Sequence, residues 1–120
     1  MGPNKSSAAD KRRYLKLKKL GCICCRRYGI KTPAQIHHIT VARKRLGNEF
    51  TIPLCAWHHQ GMPFDSDMRP SAVTGVFGPS LALSKRLFIA EFGTELELLD
   101  EVNELLQDDR NLIFEQEVHQ

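Results

Sequence analysis

The chain predicts an α+β domain organised by metal: an N-terminal basic helix, a two-stranded hairpin that feeds a short helix, and two C-terminal helices packed against them. Three observations lead there. All four cysteines, and every histidine except His119, fall between Cys22 and His59. Within that stretch, short β-patterned runs flank a Gly-Asn turn signal, while helical periodicity occupies the two ends. At 120 residues the chain has room for one modest core, so a bound metal would add materially to its stability.

The opening Met1-Gly2-Pro3-Asn4-Lys5-Ser6-Ser7 is expected to lack fixed structure. Ala8 to Leu20 reads as a helix, with Tyr14, Leu15, Leu17 and Leu20 near one side and Arg12, Arg13, Lys16, Lys18 and Lys19 around the rest. Gly21 stops it. Pro33 to Thr40 has strand character and so does Phe50 to Leu54. Gly47-Asn48 between them predicts an antiparallel hairpin with a long basic loop. A helix follows from about Ala56, shortened by Gly61 and Pro63. Residues 62–80, rich in Pro, Gly, Ser and Asp, predict a loop. Ser80 to Phe92 reads as a helix ended by Gly93, and Thr94 opens another with Glu97 at capping-box spacing. Leu96, Leu98, Leu99, Val102, Leu105 and Leu106 form its packing face. The expected organisation is therefore one domain over 8–106 followed by a polar tail over 107–120.

Charge is segregated along the chain. Residues 1–45 hold 13 of the 17 Lys and Arg against the single acid Asp10, whereas residues 46–120 hold 4 basic residues against 13 acids. The basic half suits a polyanion, with phosphate contacts giving affinity without sequence preference. The acidic half would face away from that polyanion or contact a protein. No run approaches the roughly 18 apolar residues of a membrane span, and no signal-peptide core opens the chain. A cytoplasmic setting, with reduced thiols, is the expectation, and it favours metal ligation over disulfides for the C-x-x-C pair.

Ligand spacing sorts the cysteines and histidines. Cys22 and Cys25 form C-x-x-C, and Cys55 and His58 form C-x-x-H, a Cys3His set of the structural zinc type. Cys24 is a spare thiol or the alternative ligand. His37, His38 and His59 remain. Adjacent strand residues face opposite sides, so His37 and His38 do not share one metal, and a division of labour follows: one binds and the other acts.

A hairpin bearing a His pair, then a helix bearing another His, with a Cys/His knuckle at its base, resembles the ββα-metal or HNH nucleases. That resemblance implies His37 and His59 as ligands of a catalytic cation, His38 as general base, and Asn48 as the loop asparagine. More narrowly, Gly21-Cys22-Ile23-x-Cys25, Ile36-His37-His38-Ile39-Thr40, Arg45-Leu46-Gly47, Thr51-Ile52-Pro53-Leu54-Cys55-x-Trp57-His58-His59 and Gly78-Pro79-Ser80-Leu81-Ala82 are similar to the phage recombination enhancement (Ref-type) RecA-dependent nucleases. The family implies DNA cleavage organised by a RecA filament in a bacterial cell, by a phage- or prophage-encoded protein. It implies Zn2+ in the knuckle and Mg2+ or Mn2+ at the catalytic site, where Zn2+ is the alternative occupant. No organic cofactor is expected.

The residue types suit phosphodiester hydrolysis. A neutral imidazole at His38 takes a proton from water near neutral pH. A cation on His37 and His59 stabilises charge at the phosphate and the leaving oxygen. Arg12, Arg13, Lys16, Lys18, Lys19, Arg43, Lys44 and Arg45 are the candidate backbone contacts, to single-stranded DNA or a recombination intermediate. Asp65 and Asp67 form a solvated turn more naturally than a ligand pair. The rival readings are a noncatalytic zinc-knuckle DNA-binding module and an interaction domain working through the acidic helices.

Overall fold

A computed structural model describes residues 6–118, with side chains to Asp108. Residues 1–5 and 119–120, with His119, lie outside the described residues. Ser7, expected to lack fixed structure, instead starts the first helix. Its hydroxyl accepts from the Asp10 N–H, and its own N–H donates to the Asp10 carboxylate, each at 3.0 Å. Helix α1 (Ala8–Leu20) buries Leu17 and Leu20, while Leu15, expected on the packing side, is 69% exposed. A one-turn helix α2 (Ile23–Arg26) follows, too short to leave a periodic signal.

Strand β1 (Gln35–His38) pairs antiparallel with β4 (Thr51–Leu54), setting His37 opposite Ile52 and His38 opposite Thr51. The basic loop between them holds a second small hairpin, β2 (Thr40–Val41) with β3 (Lys44–Arg45). The expected Gly47-Asn48 signal makes a separate turn leading into β4, where the Phe50 N–H donates to the Gly47 carbonyl at 3.1 Å, and the small hairpin has its own turn at Ala42–Arg43. Both turn residues have positive φ, 52° and 69°, as a two-residue hairpin of this hand requires. Neither is Gly or Asn, so nothing in the sequence marks the turn. The pairing of the flanking strands selects it, together with the Leu46 N–H donating to the Ile39 carbonyl at 3.2 Å.

Helix α3 (Ala56–Gln60) begins directly after β4 and ends at Gly61 in the left-handed conformation. The 62–80 segment is not all loop: α4 (Pro70–Phe77) lies inside it, with Pro70 in its first turn and Val73 buried. Proline reads as a breaker, yet at the start of a helix its fixed φ is already helical and its missing N–H costs nothing. Helix α5 (Lys85–Phe92) starts later than expected, at a Ser84 cap. Helix α6 (Glu95–Val118) opens on the expected Thr94/Glu97 reciprocal cap and continues through the stretch expected as a tail.

The mixed α+β core gathers Leu17, Ile23, Ile39, Ile52, Leu54, Trp57, Phe88, Leu98 and Val102 around the buried strand β4. Arg13 closes one side of it. Its Nε and Nη2 donate to Thr51 Oγ1 and O at 2.9 and 2.7 Å, and Nη1 donates to Asn103 Oδ1 at 3.0 Å, so one guanidinium joins α1, β4 and α6. No described helix is long and apolar enough to cross a membrane.

The Ala42–Arg43 turn carries a measurable cost, because a left-handed conformation disfavours non-glycine residues by about 1–2 kcal/mol each. Replacing the pair with Asn-Gly (A42N with R43G) should raise unfolding stability by about 1–2 kcal/mol in urea titrations. An unchanged or lower midpoint would show that the turn is not strained.

Candidate metal centres and the histidine face

Cys22 caps the single turn of α2 and Cys25 lies within it, and Cys55 caps α3 with His58 in its first turn. All four are buried, and their ligand atoms lie within 4.8 Å of one another, the one such cluster among the described residues. Cys25 Sγ and Cys55 Sγ are 3.8 Å apart, and His58 Nδ1 is 3.2–3.6 Å from the three sulfurs. A zinc tetrahedron with Zn–S near 2.3 Å and Zn–N near 2.0 Å has edges of about 3.8 and 3.5 Å, close to these four distances, so the set suits zinc. The cysteines are free thiols rather than disulfides.

The tautomer suits as well. His58 Nε2 donates to the Phe77 carbonyl at 2.8 Å, turning Nδ1 toward the sulfurs, the outer hydrogen bond that a histidine ligand needs for orientation. Phe77 ends α4, so the helix missing from the sequence expectation holds a predicted ligand. Gly78 completes the support by accepting from Trp57 Nε1 at 2.9 Å. With φ +83°, a Cβ there would meet the Tyr28 hydroxyl at 2.7 Å and Phe92 at 2.9 Å. Hydrogen bonds from Cys24, Cys25 and Cys55 push the Cys22 thiol far down, toward the thiolate a metal requires. Burial opposes charge on His58, but hydrogen bonds and charge from Cys22 and Cys55 outweigh it and raise its pKa to about 9. Burial pushes the Cys24 thiol up, and hydrogen bonds from Cys22 and Cys55 push up Cys25 as well, so Cys24 is set apart by position, lying outside the four-donor cluster.

The other three histidines follow the two faces of β1. Gln35 and His37 share one face, and there they meet His59 of α3. The His37 and His59 rings are 5.1 Å apart at 71°, His59 Nδ1 lies 2.7 Å from Gln35 Oε1, and His37 Nε2 lies 2.7 Å from Glu95 Oε2. Burial, then the charges of His37 and His38, lower the His59 pKa. The hydrogen bond from His37 holds the Glu95 carboxyl below its ordinary value.

On the opposite face, His38 Nε2 lies 3.4 Å from the Tyr14 hydroxyl. Burial, then the Arg45 charge, lower the His38 pKa, against a hydrogen bond to Asn48 that raises it. Asn48 itself donates to Asp10 Oδ2 at 3.0 Å. From within the Gly47–Phe50 turn it thereby links the basic loop to the α1 cap and to His38.

Arg12, Lys16, Lys18 and Lys19 are exposed on α1, and Arg43, Lys44 and Arg45 are exposed at the small hairpin. Arg13 is half-buried, its guanidinium spent on Thr51 and Asn103. Lys19 shares a surface depression of about 500 Å³ with Arg26 and Lys31, two cations the sequence candidates left out. Asp65 Oδ1 accepts the Asp67 N–H, a local turn. Among the other residues missed, Gln35 was within reach of strand periodicity, two positions before His37. Glu95, Tyr14 and the Phe77 carbonyl are brought in only by tertiary packing.

Fold and site together define a small α+β module with a Cys3His centre suited to zinc and a cluster of histidines on a strand pair. The chain belongs to the recombination enhancement, RecA-dependent nuclease family, whose model matches residues 6–107. Nuclease function in recombination, with DNA and RecA as partners, is what that membership indicates. No curated protein matches the chain.

Because structural zinc contributes on the order of 10 kcal/mol or more to such folds, comparable to a whole domain's stability, stripping it should abolish cooperative unfolding. Cys55→Ser should lose the bound equivalent of zinc and the thermal transition. Cys24→Ala should keep the zinc and lose only about 1 kcal/mol. Zinc content by elemental analysis beside thermal melts checks both, and loss of zinc from Cys24→Ala would reassign the ligand.

Proposed function

We propose that the chain is a metal-dependent DNA endonuclease of the ββα-metal (HNH) type, directed to DNA by a RecA filament. The observation that carries this reading is the placement of three imidazoles. One strand sends His37 and His38 to opposite faces, and the helix after the paired strand brings His59 to 5.1 Å from His37, ring to ring. The strand–strand–helix order and the strand pair's register supply what such a core needs.

His37 and His59 are assigned as the cation ligands, each with one ring nitrogen engaged by an oxygen and one left over. A Mg2+ or Mn2+ ion held there would supply Lewis acidity to a phosphate oxygen and to the departing 3′ oxygen. His38 is the general base. Its lowered pKa keeps it neutral and able to accept a proton from water as that oxygen bonds to phosphorus and the P–O3′ bond breaks. The released 3′ oxygen takes its proton from solvent. Asn48 and Tyr14 hold the base in place.

DNA backbone contacts fall to Arg12, Lys16, Lys18 and Lys19 on α1 and to Arg43, Lys44 and Arg45 on the small hairpin. Arg26 and Lys31 extend the cationic surface beside the knuckle. Among the described residues no element presents a set of side chains for base edges, so targeting is assigned to the partner filament.

Nicking of single-stranded circular DNA with Mg2+ or Mn2+, with and without a RecA filament, tests the assignment. His38→Ala, with zinc and fold retained, should lose roughly 10²–10⁴-fold in rate. Equal cutting by the variant would remove His38 as base. No cutting by the wild-type chain, with DNA binding intact, would leave the noncatalytic zinc-knuckle module.

Activity should also fall as acid protonates His38, with a midpoint below the ordinary imidazole value of 6.5 because its pKa is lowered. A midpoint above that value, in pH–rate profiles on preformed filaments, would contradict the assigned base.

Neutralising any one of Lys16, Lys18, Lys44 or Arg43 should weaken binding evenly across DNA sequences and reduce the salt slope by about one. Binding titrations over a range of salt would expose a sequence-selective loss if the contact were instead to a base.

A further inference from the structure

Both ring clusters around the proposed cation share a detail that neither ligand assignment requires. His37 Nε2 meets a carboxylate oxygen of Glu95 at 2.7 Å, and His59 Nδ1 meets the amide oxygen of Gln35 at the same distance. An oxygen acceptor fixes the proton on the nitrogen that faces it, leaving Nδ1 of His37 and Nε2 of His59 with free lone pairs.

The two acceptors arrive by different routes. Gln35 shares a strand face with His37 and reaches across to His59. Glu95 is the first residue of α6, the end of a helix that favours a negative side chain, and its other oxygen lies 3.6 Å from Lys85 Nζ. Its side chain is only 11% exposed and that of His37 17%, so solvent competes little for the bond. Both carboxylate oxygens are thus engaged by named partners.

We propose that Glu95 and Gln35 are positioning residues that aim His37 and His59 at the catalytic cation, Glu95 also making its imidazole the more basic ligand through its charge. The inference rests on the cation site proposed above. A carboxylate or amide of this kind, removed from behind a histidine ligand, costs roughly 10–100-fold in metal affinity. A merely structural role would lower thermal stability and leave that affinity alone.

The test is Mn2+ binding to the zinc-loaded full chain, followed by electron paramagnetic resonance, since the thiolate knuckle is a poor host for this oxygen-preferring cation. His37→Ala and His59→Ala should each abolish saturable binding. Glu95→Ala should weaken it roughly 10–100-fold and Gln35→Ala by a smaller factor. Glu95→Gln, which keeps an acceptor without the charge, should fall between the wild type and Glu95→Ala, and it guards against a folding failure in the alanine variant. Zinc content and thermal melting verify the fold of each protein.

Wild-type Mn2+ affinity in Glu95→Gln and Gln35→Ala, with binding lost in His37→Ala, would overturn the positioning roles and leave the cation site standing. Undiminished binding in His37→Ala and His59→Ala would overturn both.

Discussion

The four-donor cluster of Cys22, Cys25, Cys55 and His58 is the constraint on which the rest of the molecule depends. Three sulfurs and an imidazole packed this closely inside a small core could hold a metal such as zinc, whose charge would offset the cost of burying thiolates. The cluster ties the turn after α1 to the junction of β4 and α3, and the Phe77 carbonyl extends the tie to α4 through His58. Elements with few apolar contacts of their own therefore acquire fixed positions from a polar centre. The apolar core grows around β4, which is buried along its whole length because helices and knuckle cover it from several directions.

The β1 strand puts that rigidity to use. Its two-residue period sorts successive side chains onto separate faces without any loop or insertion. One face collects Gln35, His37, His59 and Glu95, and the other collects His38, Tyr14 and Asn48. The proposed roles, proton acceptance by His38 and cation binding by His37 and His59, would thereby be kept apart by the thickness of one strand while sharing a backbone. Arg13 shows the opposite economy: a cation in a strongly basic stretch whose guanidinium bonds Thr51 and Asn103, holding α1 against the strand that pairs with β1.

Much of this was legible in the residues. The helix from Ala8 to Leu20, the two strands within the runs Pro33 to Thr40 and Phe50 to Leu54, the start of α3 and the Thr94/Glu97 cap all have local signatures: period, stop residue or reciprocal cap. The C-x-x-C and C-x-x-H spacings placed four side chains correctly around one point. What escaped had no local signature. Helix α4 hides behind Pro70 and Gly75; the turn at Ala42–Arg43 is imposed by the pairing on either side; α2 is a single turn. Ser7 and Asp10 do form a short-range cap, but its acid is Asp rather than the usual Glu or Gln. Glu95 stands 58 residues from His37, and only the packing of α6 brings them together.

Helix α3 is five residues long and carries His58 and His59 side by side, one turned into the buried sulfur cluster and the other toward β1. Successive helical residues are about 100° apart, so a single insertion or deletion between Cys55 and His59 would swing one imidazole out of its environment. The length of this segment is consequently frozen, and substitution rather than insertion is the only kind of change that can explore it. Any lineage altering the His59 side must do so in a register dictated by His58 and the sulfur cluster.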